Sequence, residues 1–286
     1  MDDLLIFLAN DDYLKKIENY VPSAWIGHAP FMKYLFREAQ PKNFVELGTH
    51  NGFSYFVANQ AIRELGLTCK TWAVDHWLGD EQAGFFEETV FESVKLLNLP
   101  YESFSTLLRM SFDEALDLFE DQSIDLLHID GHHSYESVTK DFETWLPKMR
   151  KSGIILLHDI HVRRNGYGVH KLWQSLKPKY KNIEFVGSHG LGVIFLDQVP
   201  SGGLNEIYQA SLEGSILNVQ GTFGSIADDV IQVYRQLENQ RMKEQLTMTQ
   251  IELSRITTKL QSIEDSTIWV STKPFRSIIN YFKKQK

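Results

Sequence analysis

Short apolar runs alternate along the chain with stretches in which apolar residues return every three or four positions. Asn43 to Leu47, Lys70 to Asp75, Phe104 to Leu108, Ile124 to Asp130 and Ile154 to His158 are of the first kind and predict buried strands. Helices are predicted between them. One follows Gly52 with Phe53, Phe56, Val57, Ala61 and Leu65 on its buried side and stops at Gly66. Another takes Phe85, Val90, Val94 and Leu97, its front half, Gly79 to Gly84, reading as a loop over a ligand. Ser111 and Glu114 have the spacing of a capping box, which starts a helix running to about Phe119. Tyr135, Val138, Phe142 and Trp145 share one face of the next, Lys151-Ser152-Gly153 turns the chain into the fifth strand, and a helix is expected over Val169 to Leu176. Asn182 to Val186 and Leu191 to Leu196 flank Ser188-His189-Gly190 as a closing antiparallel hairpin. This rhythm predicts an α/β fold: a Rossmann-like, mostly parallel seven-stranded sheet with helices on both faces.

The pattern also divides the chain. Residues 1–40 read as an N-terminal helical lid and 41–200 as the sheet domain, while the glycines of 201–225 suggest a linker. Residues 226–264 are helical, with Met242, Leu246, Thr249, Leu253, Ile256, Leu260 and Ile263 alternating by four and three. That is the pattern of a coiled coil or of a long helix docked in an oligomer, the plainer alternative being one amphipathic helix on its own domain. Residues 265–286 form a basic aromatic tail with Lys273, Arg276, Lys283, Lys284 and Lys286, suited to an anionic membrane surface or a partner.

Composition changes this picture in three ways. A formal net charge of -8 over 286 residues disfavours a nucleic-acid binder with one broad basic face. The single cysteine, Cys69, lies in an apolar stretch and allows neither an internal disulfide nor a thiolate zinc cluster. The first eight residues are too acidic and too short to read as a secretory signal or a span, so the cytoplasm, or the inner face of the cell membrane, is the expected location.

Candidate chemistry collects where strands end. Glu46, Asp75, Asp130 and Asp159 each close a predicted strand, and in open α/β sheets ligands bind beyond those ends. After the first strand comes Glu46-Leu47-Gly48-Thr49-His50-Asn51-Gly52, with histidine where a dinucleotide fingerprint needs its middle glycine. That counts against a nicotinamide dinucleotide, leaving an NAD-dependent oxidoreductase as a distant alternative. It suits a nucleoside cofactor without phosphates, such as S-adenosylmethionine: Glu46 organises the loop around its aminoacyl part, the Gly48 backbone approaches it, and Asp75 accepts the ribose hydroxyls. Ser111 caps its helix and lies near the adenine, while Trp77 either flanks the adenine or packs in the core.

Val45 to Gly52, Val74 to Asp80, Leu127 to Glu136 and Leu157-His158-Asp159 together resemble the class I S-adenosylmethionine-dependent methyltransferases. More narrowly they are similar to the methyltransferase domains of bacterial surface-polysaccharide biosynthesis, related to the macrocin O-methyltransferase group, over roughly residues 20 to 197. The resemblance implies an O-methyltransferase acting on a sugar hydroxyl, with Glu46, Gly48, Thr49, His50, Gly52, Ser54, Asp75, His76, Trp77, Ser111 and Asp130 around the cofactor. An imidazole near a strand end suits a general base, and the resemblance places the base three residues after the strand-end aspartate, at His133, with Asp130 beside it and His132 as competitor. Asp130, His158 and Asp159 are candidate ligands for magnesium or manganese; metal-dependent relatives carry acidic or amide residues where His158 stands, and imidazole suits manganese better. His161, Arg163 and Arg164 either contact an acceptor or are solvated. The tail from Ser266 to Arg276 looks like a segment that ends many bacterial glycan-assembly proteins, so the expected partners are a glycan acceptor and either a second copy of the chain or a glycan-assembly partner, with no nucleic acid. A non-catalytic scaffold that keeps the fold is the main rival reading.

Overall fold

The computed structural model describes residues 2–81, 84–85, 87–164, 166–266 and 270–272. They form two compact units, Met1–Val233 and Tyr234–Lys286.

The first unit is built on seven strands: β1 (Asn43–Leu47), β2 (Lys70–Asp75), β3 (Ser105–Arg109), β4 (Ile124–Ile129), β5 (Met149–His158), β6 (Lys181–Phe185) and β7 (Leu191–Phe195). Their order is β3-β2-β1-β4-β5-β7-β6. The first five pair in parallel, and β7 runs antiparallel to both β5 and β6. Central strands are covered on both faces, which is why they read as unbroken apolar runs. Strand order reverses between β1 and β4, and both of these lead into the cleft at the carboxyl edge.

Ten helices accompany the sheet among the described residues: α1 (Asp2–Ala9), α2 (Asp12–Lys15), α3 (Ala29–Ala39), α4 (Phe53–Leu65), α5 (Glu88–Asn98), α6 (Phe112–Ala115), α7 (Tyr135–Trp145), α8 (Val169–Leu176), α9 (Gly203–Glu213) and α10 (Ile216–Glu264). On one face Val138, Phe142 and Trp145 of α7 and Leu172 and Trp173 of α8 pack onto Leu127, Ile129, Ile155 and Leu157. On the other, Phe31 of α3 meets Phe185 at 4.3 Å between ring centroids and Phe223 at 5.7 Å. Lys33 of α3 is fully buried there, its charge matched by Glu64 at 2.7 Å and its ammonium donating to the Lys16 carbonyl at 2.8 Å.

Several expected boundaries move. The linker expected over 201–225 is helical: Leu204, Ile207 and Ala210 of α9 and Val219 and Phe223 of α10 are buried, and that burial holds the segment in place despite its glycines. The turn expected at Lys151-Ser152-Gly153 lies inside β5, beside an irregularity in the β4–β5 register. The helix after Ser111 lasts one turn and tightens into a 3-10 turn over Leu116–Leu118. Gly79–Asp80 and Gly84–Phe85 pair as a minimal hairpin. Of the basic tail, all but a few residues lie outside those described. No helix among the described residues is long and apolar enough to cross a membrane.

Candidate active site

A cavity of about 520 Å³ opens over the carboxyl ends of the parallel strands. Its wall takes in the β1–α4 loop (Gly48 to Ser54), Asp75 and His76 after β2, Ser111 to Asp113 after β3, Asp130 to His133 after β4, and His158 and Asp159 after β5. Three of the four strand-end acids, Asp75, Asp130 and Asp159, therefore converge on it, while Glu46 stops short of the wall.

The β1–α4 loop is held by Asp75. Its Oδ2 accepts the backbone N–H groups of Thr49 and His50, both at 2.9 Å, and its Oδ1 accepts that of Trp77 at 2.7 Å. A carboxylate has about four lone-pair directions, so three are spent on backbone and about one is left for a ligand hydroxyl. Gly48 has φ +84°, and a Cβ there would stand 2.2 Å from the Asp130 carbonyl oxygen. The close passage of the chain beyond β4 by itself demands glycine here, and Gly48 also lines the cavity, where its backbone was expected to approach a cofactor. Gly52, φ +84°, caps α4, and a Cβ there would strike the Phe56 ring at 2.5 Å.

Two residues expected around the cofactor lie elsewhere. Glu46 is fully buried beneath the wall, and its Oε2 takes the Nδ1–H of His128 at 2.8 Å. His128 Nε2 in turn accepts the Trp25 indole N–H at 3.1 Å; an indole only donates, which fixes the imidazole tautomer. Burial pushes the Glu46 carboxyl up despite that bond. Trp77 is 1% exposed and packs on Phe91, and its indole N–H donates to the His50 carbonyl at 2.9 Å. It is a brace for the loop and not an adenine wall, because a left-handed backbone (φ +52°) turns the large ring inward.

Thr49, His50, Ser54, His76, Ser111 and Asp130 all line the cavity. Thr49 Oγ1 is buried with no protein partner among the described residues. Ser111 completes the expected capping box with Glu114 and also lines the cavity.

Toward β5 the wall becomes an acid and imidazole cluster. His133 Nε2 lies 2.8 Å from Asp159 Oδ2 and 3.5 Å from Asp130 Oδ1, with its ring stacked on Tyr167 at 4.8 Å. Burial alone would lower its pKa, but the two carboxylates raise it to about 10. The two carboxylates thus favour the protonated form of His133, the expected base, and its Nε2 is directed at Asp159. Burial works against the Asp130 charge, yet His158 and His133 hold this carboxyl well below the usual range. His158 puts Nδ1 3.1 Å from Asp130 Oδ1 and Nε2 2.9 Å from the Ser188 carbonyl. With both nitrogens engaged it is not available as a metal ligand. Asp130, His133 and Asp159 instead bring one ligand atom each within 4.8 Å of one another. His133 replaces His158 in the expected set.

Sequence reasoning missed other wall residues: Trp25 and its neighbours from Pro22, then Ser137, Lys140, Asp141, Tyr167 and His189. His189 Nδ1 bonds Asp159 Oδ1 at 2.9 Å. A signal for it existed, since histidine stands at a hairpin-turn position with φ +70° where glycine or asparagine is usual. His50, Trp77, Asp159, Ser188 and His189 all have positive φ and all surround or brace this cavity. Such conformations cost about 1–3 kcal/mol each and persist where surrounding structure imposes them. Arg163 is tied to the Ile160 carbonyl at 3.0 Å, and His161 pairs with Glu184 at 2.7 Å.

Residues 45–160 match the family described as Methyltransferase domain. The chain is 43% identical over 196 residues to the uncharacterized protein y4gI of Sinorhizobium fredii, an alignment covering 68% of this chain and 22% of that protein. It thus spans about a fifth of the length of the curated relative it matches. Similar solved structures include the O-methyltransferase TomG from Streptomyces achromogenes in complex with SAM, at TM-score 0.47 and 15% identity over 69% of this chain and 91% of that one. Another is the SAH-bound methyltransferase PaMTH1 of Podospora anserina, at TM-score 0.47 and 14% identity over 65% and 93%. The strand order is that of a Rossmann-like, mostly parallel seven-stranded sheet, and the region that matches the Methyltransferase domain family contains Asp75, Asp130 and Asp159.

Proposed function

We propose that the protein is an S-adenosylmethionine-dependent O-methyltransferase that methylates a sugar hydroxyl, in bacterial surface-glycan biosynthesis. The observation that carries this reading is the coincidence of the methyltransferase-family match with one cavity over the strand ends, walled by the Asp75-tethered loop at one side and the Asp130, His133, Asp159 cluster at the other. The cavity has the volume of a small-molecule site.

The residues present fit the cofactor. The Thr49 hydroxyl is a buried polar atom without a partner among the described residues, Asp75 has a lone-pair direction to spare for a ribose hydroxyl, and Ser54, Ser111 and Gly131 line the same cavity. When bound, the cofactor supplies the sulfonium methyl group. The chain's own residues position the acceptor oxygen and take its proton. A wall so rich in carboxylates and imidazoles favours a hydroxyl-bearing acceptor such as a sugar over an apolar one.

The two carboxylates beside His133 favour its protonated form, so in this reading a carboxylate of the cluster takes the acceptor's proton. A hydroxyl forming a bond to carbon becomes strongly acidic, so a weak carboxylate base suffices. The imidazolium balances the paired charges and orients Asp159. With His133 deprotonated, a nitrogen of its ring and the carboxylates of Asp130 and Asp159 would fit a divalent ion that accepts mixed oxygen and nitrogen donors, manganese above magnesium, as an alternative to the imidazolium arrangement. Such an ion would orient and acidify acceptor hydroxyls.

Calorimetry with S-adenosylmethionine and S-adenosylhomocysteine tests the first step: both bind, and no binding by folded protein would end the proposal. Asp75→Ala should weaken binding at least tenfold. His133→Ala should leave cofactor affinity within about threefold while lowering turnover about 10²–10⁴-fold, measured with labelled cofactor and host glycan extract. Unchanged turnover would remove His133 from the chemistry.

A further inference from the structure

In the second unit α10 continues to Glu264. Counting in sevens from Asn239 puts Asn239, Leu246, Leu253 and Leu260 at heptad position a, and Met242, Thr249, Ile256 and Ile263 at d. This seam is open to solvent: Leu253 is 63% exposed and Ile263 51%. Met248 and Ile251, also exposed, fall at c and f, off the seam. A heptad stripe kept for nearly four repeats needs a partner helix to cover it.

The flanking positions identify that partner. In a parallel pair each g residue faces the e residue five positions on in the other helix. Glu238 then faces Lys243, Gln245 faces Gln250, Glu252 faces Thr257, and Lys259 faces Glu264. Two pairs attract, two are neutral and none repels. Glu238 also has a local partner, Arg241 at 3.2 Å, one turn on in its own helix. The antiparallel arrangement, with a facing d, is worse on two counts. It sets Glu252 against its own copy, and it buries Asn239 opposite Ile263, where the amide has nothing to bond. In parallel register Asn239 meets Asn239, and two amides satisfy each other.

We propose that residues 239–264 associate in parallel and in register with the same segment of other copies of this chain, forming a coiled coil of more than two strands. Leucine at a with isoleucine at d, as in Leu253 with Ile256 and Leu260 with Ile263, is the choice that favours three or four strands over two. Asn239 sets the register. This inference is independent of the methyl-transfer reading and survives if that reading fails.

Sedimentation of the 286-residue chain at micromolar concentration should give the mass of three or four chains. Lys243→Glu with Lys259→Glu turns both attractive pairs into repulsive ones and should weaken association at least about tenfold. Adding Glu238→Lys and Glu264→Lys to that chain should restore it, an outcome that a merely weakened helix would not produce. In a Cys69→Ser background, Asn239→Cys should cross-link chain to chain under mild oxidation, as only the parallel register allows. A single-chain mass for the unmodified protein overturns the proposal, and a two-chain mass overturns the strand number. Failure of the fourfold exchange to restore association overturns the pairing, and absence of the cross-link overturns the orientation.

Discussion

Asp141 shows what a single residue costs when placed at a cavity wall. The residue is 8% exposed, and the charges that act on its carboxyl are those of Lys140 and Asp113. Burial raises its pKa to about 7 from the usual 3.8. The folded state therefore binds this proton more tightly than the unfolded chain does. The contribution is fully present below about pH 4 and is lost as pH rises through 7. Asp141→Asn should be close to neutral at pH 5 and more stable than the parent at pH 8, the gap widening by on the order of 1–2 kcal/mol in denaturant melts. A gap that does not change with pH would mean that Asp141 is solvated. No sequence pattern flagged this residue, because an acid in the middle of an amphipathic helix looks like solvent-facing charge until the helix is docked. Glu46 and Trp77 are the opposite case: both stand beside the right motifs, and both point away from the cavity, since the side chain one residue along a strand or turn faces the other way.

Among the elements, the segment from Pro22 to His28 joins the N-terminal helices to the site. Trp25 spans from the cavity wall to the buried His128 and Glu46 pair. The Gly27 N–H reaches the Ser188 hydroxyl at 3.1 Å, coupling this segment to the β6–β7 turn that carries His189. Trp25→Phe keeps most of the volume but leaves His128 Nε2 without its donor. Thermal or chemical unfolding should register a loss of about 1–3 kcal/mol, together with weaker S-adenosylhomocysteine binding. If stability falls and affinity does not, the segment is a support and not part of the binding wall. The helical character of the N-terminal segment was legible because Pro22, Pro30 and the apolar run after Pro30 punctuate it. Its hydrogen bond to a histidine 103 residues away was not.

At the scale of the whole molecule, two compact units predict two transitions. Circular dichroism of the full chain should show one transition that S-adenosylhomocysteine raises, by about 2.7 kcal/mol at a hundred times its Kd. The second should respond to protein concentration and ignore the nucleoside, as the association of α10 requires. A single transition answering to both would refute this division. The strand sequence, the parallel sheet, the loop from Gly48 to Gly52 and the heptads of α10 were readable from residues alone, because periodicity, turn chemistry and strand-end acids are local properties. The split of strand-end acids into a loop tether at Asp75, a cation-sized cluster at Asp130 and Asp159, and a buried prop at Glu46 was decided only by tertiary structure. So was the exchange of His158 for His133 as third member of that cluster: which nitrogen is left for a ligand depends on where the Ser188 carbonyl, thirty residues on, comes to rest.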